Sequence, residues 1–308
     1  MDLLDKPSKD QAQKQMQQFI RRRQPRNTNI EPYWDLIKRI IHESDVVLEI
    51  LDARLLELSR NATVEELIKT EGRPMIFVVN KSDLVDKESL RNQIAELEEK
   101  APVIFVSYKN RMSYKILLSH IKKLFKEHGK RETTERKVGD PKLRFREAEA
   151  DIVVGVLGYP NVGKSSVING LAHKKKVKVS KKAGTTHGIH WVRLDEEIKL
   201  IDSPGVIPLG REDEVRYGLI GARDNESLRH PDVVADAIIK LFMKNNKKVF
   251  EDYYDIKISD EDIKEDNSYN VLLRVAEKKR YLIKGGELDE NRASTDIIRV
   301  WQDGKLRL

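Results

Sequence analysis

The stretch GYPNVGKSS at residues 158–166 has the residue types and spacing of a loop that binds phosphate. Gly158 and Gly163 would let the backbone curl so that successive N–H groups point at phosphate oxygens. The helix predicted to follow adds partial positive charge at its start. Lys164 would neutralise the β- and γ-phosphates of a nucleotide, and Ser165 would coordinate Mg²⁺. The nucleotide-binding residues predicted here are Asn161, Val162, Gly163, Lys164, Ser165 and Ser166.

A second group of polar residues ends an earlier apolar run, in VVNKSDLVD at 78–86. The Asp83 carboxylate could accept hydrogen bonds from N1–H and N2–H₂ of guanine. Adenine lacks the N2 donor and would leave a buried carboxylate unpaired, which is costly. Asn80 would fix the loop near the base, and the aliphatic stem of Lys81 would lie along it. Alone, these residues fit a turn after a strand, but together with a phosphate loop they indicate guanine specificity.

Two further loops could complete a nucleotide site. Ser107 and Tyr108 follow the next apolar run and could offer backbone N–H groups to guanine O6. Asp202 and Gly205 belong to a D-x-x-G sequence, in which the carboxylate could hold Mg²⁺ and the glycine N–H could meet a γ-phosphate. Taken alone, this second loop also fits a simple turn after a strand.

The polar, glycine-containing segment KKAGTTHG at 181–188 has the composition of a loop that closes on a nucleotide. Within it we favour Thr186 over Thr185 as the residue that reaches Mg²⁺ and the γ-phosphate. Val206 follows Gly205, at the position where a signalling GTPase carries a glutamine that orients the attacking water. A valine cannot orient or deprotonate water, so this site predicts slow intrinsic hydrolysis.

The missing catalytic group would come from another segment or from a partner. His187 is a local candidate, and an exposed loop histidine is the alternative interpretation. The predicted catalytic residues are Lys164, Thr186, His187 and Gly205.

Short apolar runs alternate with helical patterns, which predicts an α/β fold with a mainly parallel sheet covered by helices. Asp86 is expected to cap one helix, and Asp289 and Gly304 to begin and end the last one. After about Arg211 the chain is predicted to be helical. The six predicted strands lie within 46–53, 74–80, 101–108, 150–160, 190–194 and 198–202.

The loops occur in an unusual order, because both base-binding loops precede the phosphate loop. This order predicts a circularly permuted P-loop fold, in which the same strands are joined differently; nearby chain termini make such rejoining tolerable. We expect a permuted nucleotide-binding domain at 30–211, with a basic linker at 126–149 as the new join. Residues 1–29 would form a basic extension and residues 212–308 a helical domain.

Composition narrows the possible classes of protein. The chain has 308 residues, of which 39% are hydrophobic and 35% charged, enough for about two domains. It has no cysteine, which excludes disulfides, thiolate metal sites and cysteine nucleophiles. No apolar segment approaches the roughly 20 residues that span a bilayer, so we expect a cytoplasmic protein without membrane contact. The net charge of +7 is compatible with a polyanionic partner.

These loops together resemble those of circularly permuted GTPases related to nucleostemin and to the bacterial large-subunit assembly GTPase. SDVVLEILDAR at 44–54 resembles the family's first strand and its Asp-Ala-Arg ending, here Asp52 to Arg54. Residues 282–306 resemble the family's helical domain. The resemblance implies GTP/GDP and Mg²⁺ as ligands and GTP hydrolysis coupled to assembly of the large ribosomal subunit. It also implies that the helical domain contacts rRNA.

Two residues test how far the family chemistry extends to this chain. Related GTPases with an asparagine at the position of Asn161 use it to bind K⁺; a hydrogen bond that stabilises the loop is the alternative. In bacterial relatives an N-terminal histidine is implicated in hydrolysis. Here no histidine precedes His42, which lies on a predicted helix, so the chain departs from the family at that point.

Three basic segments could contact RNA phosphates: residues 21–26, the linker, and HKKKVKVSKK at 173–182. A solvated surface is the alternative for each. Two function classes stay open. The first is a GTPase checkpoint on a maturing ribosomal subunit, monomeric when off the ribosome. The second is a GTP-gated RNA- or protein-binding module in which hydrolysis is incidental.

Overall fold

Six strands form one sheet in the computed structural model, which describes residues 33–86, 88–130, 152–172, 190–203, 214–222 and 228–308. The strands follow the spatial order β3-β2-β1-β4-β6-β5, and all neighbours are parallel except β5 and β6. The prediction of a mainly parallel, six-stranded sheet is therefore confirmed. The strands are β1 (Val46–Asp52), β2 (Met75–Asn80), β3 (Val103–Phe105), β4 (Ile152–Leu157), β5 (His190–Arg193) and β6 (Ile198–Asp202).

The permuted chain order is visible in β4, the strand that leads into the phosphate loop, because it is fourth in sequence yet lies in the middle of the sheet between β1 and β6. Leu48 lies opposite Ile76 of β2 and also opposite Val156 of β4, so the first and fourth strands in sequence are direct neighbours. The carboxyl ends of the parallel strands share one edge of the sheet, where ligands bind in open α/β folds. Both base loops and the phosphate loop leave from that edge.

Helices cover the sheet because each carries an apolar stripe. In the first helix, Ile40 and Ile41 are fully buried and belong to one cluster with Val47 and Val153 of the sheet. Full burial of such a side chain stabilises the fold by about 1.5–3 kcal/mol. The helices of this part are α1 (Tyr33–Glu43), α2 (Ala62–Thr70), α3 (Arg91–Glu98), α4 (Arg111–His128) and α5 (Lys164–Ala172).

From 214 onward, the described regular secondary structure is helical, apart from an isolated bridge between Leu282 and Leu288. Their core centres on Trp301, which is fully buried and meets Phe242 edge-on, with 5.8 Å between ring centroids. The limits of the two proposed domains stay predictions. These helices are α6 (Glu214–Leu219), α7 (Pro231–Asn245), α8 (Lys247–Tyr254), α9 (Asp260–Lys264), α10 (Ser268–Lys278) and α11 (Glu290–Gln302).

The last helix begins and ends as predicted. Asp289 accepts a hydrogen bond from the Arg292 N–H at 2.9 Å, and Gly304 follows with φ of +70°. The prediction that Asp86 caps a helix was wrong about the element. Asp86 accepts from the Glu88 N–H at 3.2 Å and so caps a short 3₁₀ turn, while α3 begins only at Arg91.

The predicted ranges of one strand and of the linker were too long. β3 is three residues long rather than eight, because Pro102 has no N–H for the ladder and Ser107 turns away to bridge Asn110. The linker predicted at 126–149 begins inside α4, which continues to His128. Residues 131–149 of that linker, and the extension at 1–29, lie outside the described residues.

Within the described ranges, no helix is long and apolar enough to cross a membrane.

Candidate nucleotide-binding site

The phosphate loop, residues 158–165, joins β4 to α5 in the strand–loop–helix order that its sequence predicts. Gly158 has φ of +141°, and a Cβ there would lie 2.6 Å from the Ile50 carbonyl oxygen. Gly163 has φ of +100°, and a Cβ there would lie 2.1 Å from Nδ2 of Asn80. A larger residue at either position would strain the backbone and collide with a neighbour.

Lys164 is the first residue of α5, and its side chain is buried. Its Nζ donates to the carbonyl oxygens of Gly158 and Tyr159, at 2.8 and 2.9 Å. Burial lowers the pKa of Lys164 to about 8, and the nearby Asp202 carboxylate opposes that shift. The ammonium therefore rests on carbonyls of its own loop, at the place where the phosphates of a nucleotide would compete for it.

Asp202 ends β6 beside Val156 of β4, and only 1% of it is exposed. Neither carboxylate oxygen has a hydrogen-bond partner within the described residues. Burial raises the pKa of Asp202 to about 6, against the opposing effects of Lys164 and His190. A buried, unpaired carboxylate is costly in a folded protein, which suggests that a ligand normally satisfies it.

Mg²⁺ would suit this carboxylate. The ion prefers oxygen ligands and is usually held by one or two carboxylates together with substrate phosphates. Ser165, in the first turn of α5, is half-buried and would supply the predicted hydroxyl. Thr186, the other predicted ligand, lies outside the described residues.

The base loop after β2 is tied to the phosphate loop. Nδ2 of Asn80 donates to the Val162 carbonyl oxygen at 2.9 Å, which brings two segments 82 residues apart into one site. Lys81 has left-handed backbone geometry, with φ of 59°. Its Nζ donates to Oδ2 of Asp52 at 2.6 Å, so the lysine stem is held across the loop.

Asp83, the predicted guanine acceptor, is held by two side chains from the second base loop. Its Oδ1 accepts from the Ser107 hydroxyl at 2.7 Å, and its Oδ2 lies 2.8 Å from Nζ of Lys109. Burial would raise the pKa of Asp83, but Lys109 and Ser107 outweigh it and hold the pKa below its ordinary value. The carboxylate is therefore ionised and oriented near neutral pH. Tyr108, also predicted to contact guanine, is 72% exposed.

Comparison with known proteins agrees with this geometry. A family model described as 50S ribosome-binding GTPase matches residues 153–278. GTP-binding protein MJ1464 of Methanocaldococcus jannaschii is 37% identical over 275 residues, covering 89% of this chain. Mouse guanine nucleotide-binding protein-like 3 is 33% identical over 280 residues, covering 88% of this chain.

The chain belongs to the family of circularly permuted GTPases related to nucleostemin. It spans 66% of the archaeal protein and 49% of the mouse protein. The fold of this permuted GTPase is similar to that of YlqF from T. maritima. The GNP-bound YlqF structure matches with a TM-score of 0.55 and 21% identity, covering 89% of this chain and 95% of YlqF.

The structure adds residues that reasoning from the sequence left out of the permuted GTPase site. Asp52 and Arg54 lie directly behind Lys81, and Arg54 contacts Trp301 of α11. The Asp-Ala-Arg ending of the first strand could have indicated them. That motif contributed to the family resemblance, but no role in the site was predicted for its residues. Nothing in the sequence indicated a role for Trp301, because an apolar helix residue such as tryptophan is expected to belong to the hydrophobic core.

Other predicted residues of this permuted GTPase have mixed outcomes. Asn161 has left-handed backbone geometry, with φ of 60°. Its side-chain Nδ2 donates to the Gly221 carbonyl oxygen, and this contact is the loop-stabilising hydrogen bond that was the alternative to K⁺ binding. Val162 is fully buried, so only its backbone is offered to a ligand. Thr186, His187 and Gly205 lie outside the described residues.

Proposed function

We propose that this protein binds GTP, hydrolyses it slowly to GDP and phosphate with Mg²⁺, and acts in assembly of the large ribosomal subunit. The observation that carries the proposal is the contact between Asn80 and the Val162 carbonyl oxygen. It joins a guanine-type loop to a phosphate loop, so the base and phosphates of one nucleotide could be held at once. Membership of the permuted GTPase family supports the assembly role.

The ligand chemistry follows from the charges at each end of the site. Asp83 would accept from guanine, Lys164 would transfer from loop carbonyls to the phosphates, and Asp202 with Ser165 would hold Mg²⁺. K⁺ at Asn161 is a further proposal, through the side-chain oxygen, since the amide nitrogen already binds Gly221. Thr186, Gly205 and His187 are proposed to complete the phosphate end.

The first experiment is GTP hydrolysis by the full chain in K⁺ and in Na⁺, with and without large ribosomal subunits. We expect a slow basal rate that subunits from the same organism stimulate strongly. A K⁺ effect lost in Asn161→Ala, which removes the side-chain oxygen, but not in the surface control Asn245→Ala would assign the ion to Asn161. Turnover that never responds to subunits would favour a GTP-gated binding module instead.

Charge suggests which segments would contact RNA. Residues 212–308 carry eighteen Lys or Arg and twenty-one Asp or Glu, so the helical domain has a net charge of −3, whereas residues 173–182 carry six lysines and no acid. We propose that 173–182 provides most phosphate contacts and that the helical domain recognises shape or protein. Each phosphate contact removed lowers the slope of log affinity against log salt by about 1.

That proposal has a matched test. The triple change Lys174→Ala, Lys175→Ala and Lys176→Ala should reduce the salt slope of binding to large-subunit rRNA. Lys244→Ala, Lys247→Ala and Lys248→Ala remove the same charge from the helical part and should leave the slope near that of wild type. Equal effects of both triples would overturn the assignment.

We also propose a cytoplasmic protein that is monomeric off the ribosome.

A further inference from the structure

A buried ionic cluster lies behind the guanine loop. Asp52, fully buried at the end of β1, binds Arg54 through both carboxylate oxygens, with Nε to Oδ1 at 3.1 Å and Nη2 to Oδ2 at 2.9 Å. The same carboxylate accepts from Nζ of Lys81 at 2.6 Å. Asp52 therefore fixes both the ammonium of a base-loop residue and the guanidinium of Arg54.

Arg54 in turn is held by the last helix. Its Nη1 donates to the Trp301 carbonyl oxygen at 2.5 Å, and its guanidinium carbon lies 4.1 Å from the centre of the Trp301 ring. Two cations share one carboxylate in this cluster, so the carbonyl and the ring face stabilise the second positive charge. Lysine could not replace arginine here, because an ammonium cannot bind the carboxylate in a fork and stack on the indole at once.

The end of α11 also contacts the phosphate side of the site. Nε1 of Trp301 donates to the Leu219 carbonyl oxygen at 2.7 Å, and Nε2 of Gln302 donates to that of Gly218 at 3.0 Å. Gly221, the next residue but one after Leu219, accepts from the Asn161 amide of the phosphate loop. The end of α11 is thus linked to the base half of the site through Arg54 and, through the end of α6 and Gly221, to the phosphate loop.

The chain beyond α11 returns to the base loop. The Leu308 N–H donates to the Leu84 carbonyl oxygen at 3.1 Å, and a Cβ at Gly304 would lie 3.0 Å from Cδ1 of Leu84. Leu84 directly follows Asp83, so the guanine loop is held from behind by Arg54 and from beside by residues 304–308.

We propose that Arg54 is a positioning residue for the guanine base: held by Trp301, it orients Asp52, which places Lys81 against the base. The end of the helical domain then determines how long a guanine nucleotide stays bound. A partner that displaces α11 would speed nucleotide release without contacting the nucleotide. This inference rests on the proposed function, because it requires that guanine binds at Asp83.

The test is a double-mutant cycle read by release of a fluorescent GDP from the full chain. Arg54→Lys should release GDP about tenfold faster, the change expected from losing one charged hydrogen bond. Lys81→Met should also speed release. In the Lys81→Met background, Arg54→Lys should add almost nothing, because the residue it positions is gone.

Arg60→Lys is the matched control, since Arg60 follows the same strand but pairs with Glu57 and Glu65. It should leave the release rate near wild type. All rates are compared well below each variant's melting temperature. Independent, multiplying effects of Arg54→Lys and Lys81→Met would overturn the inference, as would an unchanged rate in Arg54→Lys.

If Arg54→Lys does not fold, Arg54→Gln provides the same comparison. Its neutral amide can still donate to Asp52 or to the Trp301 carbonyl oxygen, but not to both, and it should also accelerate release. A wild-type chain that binds no fluorescent GDP would refute the proposed function itself. Tight GDP binding with a normal release rate in the Arg54 variants would refute only the positioning role.

Discussion

The proposed base-binding and phosphate-binding halves of the nucleotide site differ in how their charged groups are paired. In the base half, Asp83 is bound by Ser107 and Lys109, and Lys81 is bound by Asp52. In the phosphate half, Asp202 has no hydrogen-bond partner among the described residues.

This difference indicates that other side chains of the protein already orient the carboxylate of the base half. The buried carboxylate of the phosphate half has no such partner among the described residues and would gain one only when a ligand binds. A carboxylate that is oriented before binding loses little freedom when guanine arrives. A buried carboxylate without a partner costs stability until a cation arrives. Mg²⁺ with a nucleotide should therefore stabilise the phosphate half much more than the base half.

The largest effect is expected for Asp83→Asn, which breaks the base half. The amide places a donor where guanine needs an acceptor, while xanthine offers a carbonyl at C2 that can accept from it. GDP affinity should fall about 1,000-fold, and XDP should bind better than GDP. Calorimetric titration with both nucleotides measures this. Asp86→Asn, an exposed change in the same loop, is the control, and normal GDP binding by Asp83→Asn would refute the base-loop assignment.

Lys164→Ala breaks the phosphate half. The ammonium would neutralise charge on the transferred phosphoryl group, and loss of one such interaction typically slows turnover by about 100- to 1,000-fold. Single-turnover hydrolysis of GTP, at saturating protein, separates this effect from weaker binding. Lys123→Ala removes an exposed lysine of α4 and should leave the rate unchanged. Hydrolysis by Lys164→Ala within a few fold of wild type would show that the phosphates bind elsewhere.

A smaller, pH-dependent effect is expected for Asp202→Asn. Because burial raises the pKa of Asp202 from 3.8 to about 6, the folded state holds this proton more tightly than the unfolded state. Stability of the nucleotide-free protein should therefore fall as pH rises from about 4 to about 6, and stay low above that range. Asp202→Asn should remove this loss and raise the free energy of unfolding by about 3 kcal/mol at pH 8.

Urea unfolding at pH 5 and pH 8 measures the change, with the exposed Asp195→Asn as control. Adding Mg²⁺ and GDP should reverse the order, because only wild type then gains a metal-bound carboxylate. An Asp202→Asn protein that is less stable than wild type at pH 8 without nucleotide would contradict the idea of an unsatisfied carboxylate.

The sequence was enough to predict the sheet and the loops that leave it. Apolar runs located the first four strands, and the short stretches at 190–194 and 198–202 located the last two. The glycines at 158 and 163 predicted the phosphate loop, since only glycine tolerates these backbone angles next to Ile50 and Asn80. Strand ends were less predictable. Whether β3 stops at Phe105 depends on Ser107 bridging Asn110, a contact that no periodicity reveals.

The links between distant segments could not be predicted from the sequence. The bond from Arg54 to Trp301 joins residues 247 apart, and it depends on how the last helix packs against the neighbouring helices of the C-terminal part. The sequence also gives no sign that Lys109 would bind Asp83, because an exposed lysine after a strand has many possible partners. Residue types indicated the chemistry of the site, and tertiary packing decided which charges are paired.

The smallest effect is expected for Lys109→Met. This variant tests whether the base half already has its ligand-binding arrangement before guanine binds. Guanine must displace the Lys109 ammonium from Oδ2 of Asp83, and 45% of that lysine side chain is exposed. An ion pair so exposed contributes at most about 1 kcal/mol, so its loss should tighten GDP binding by about two- to fivefold, and less at high salt. Lys115→Met, an exposed lysine of α4, controls for net charge. Weaker GDP binding by Lys109→Met would mean that Lys109 contacts the bound base, and the base half would then be rearranged by its ligand as well.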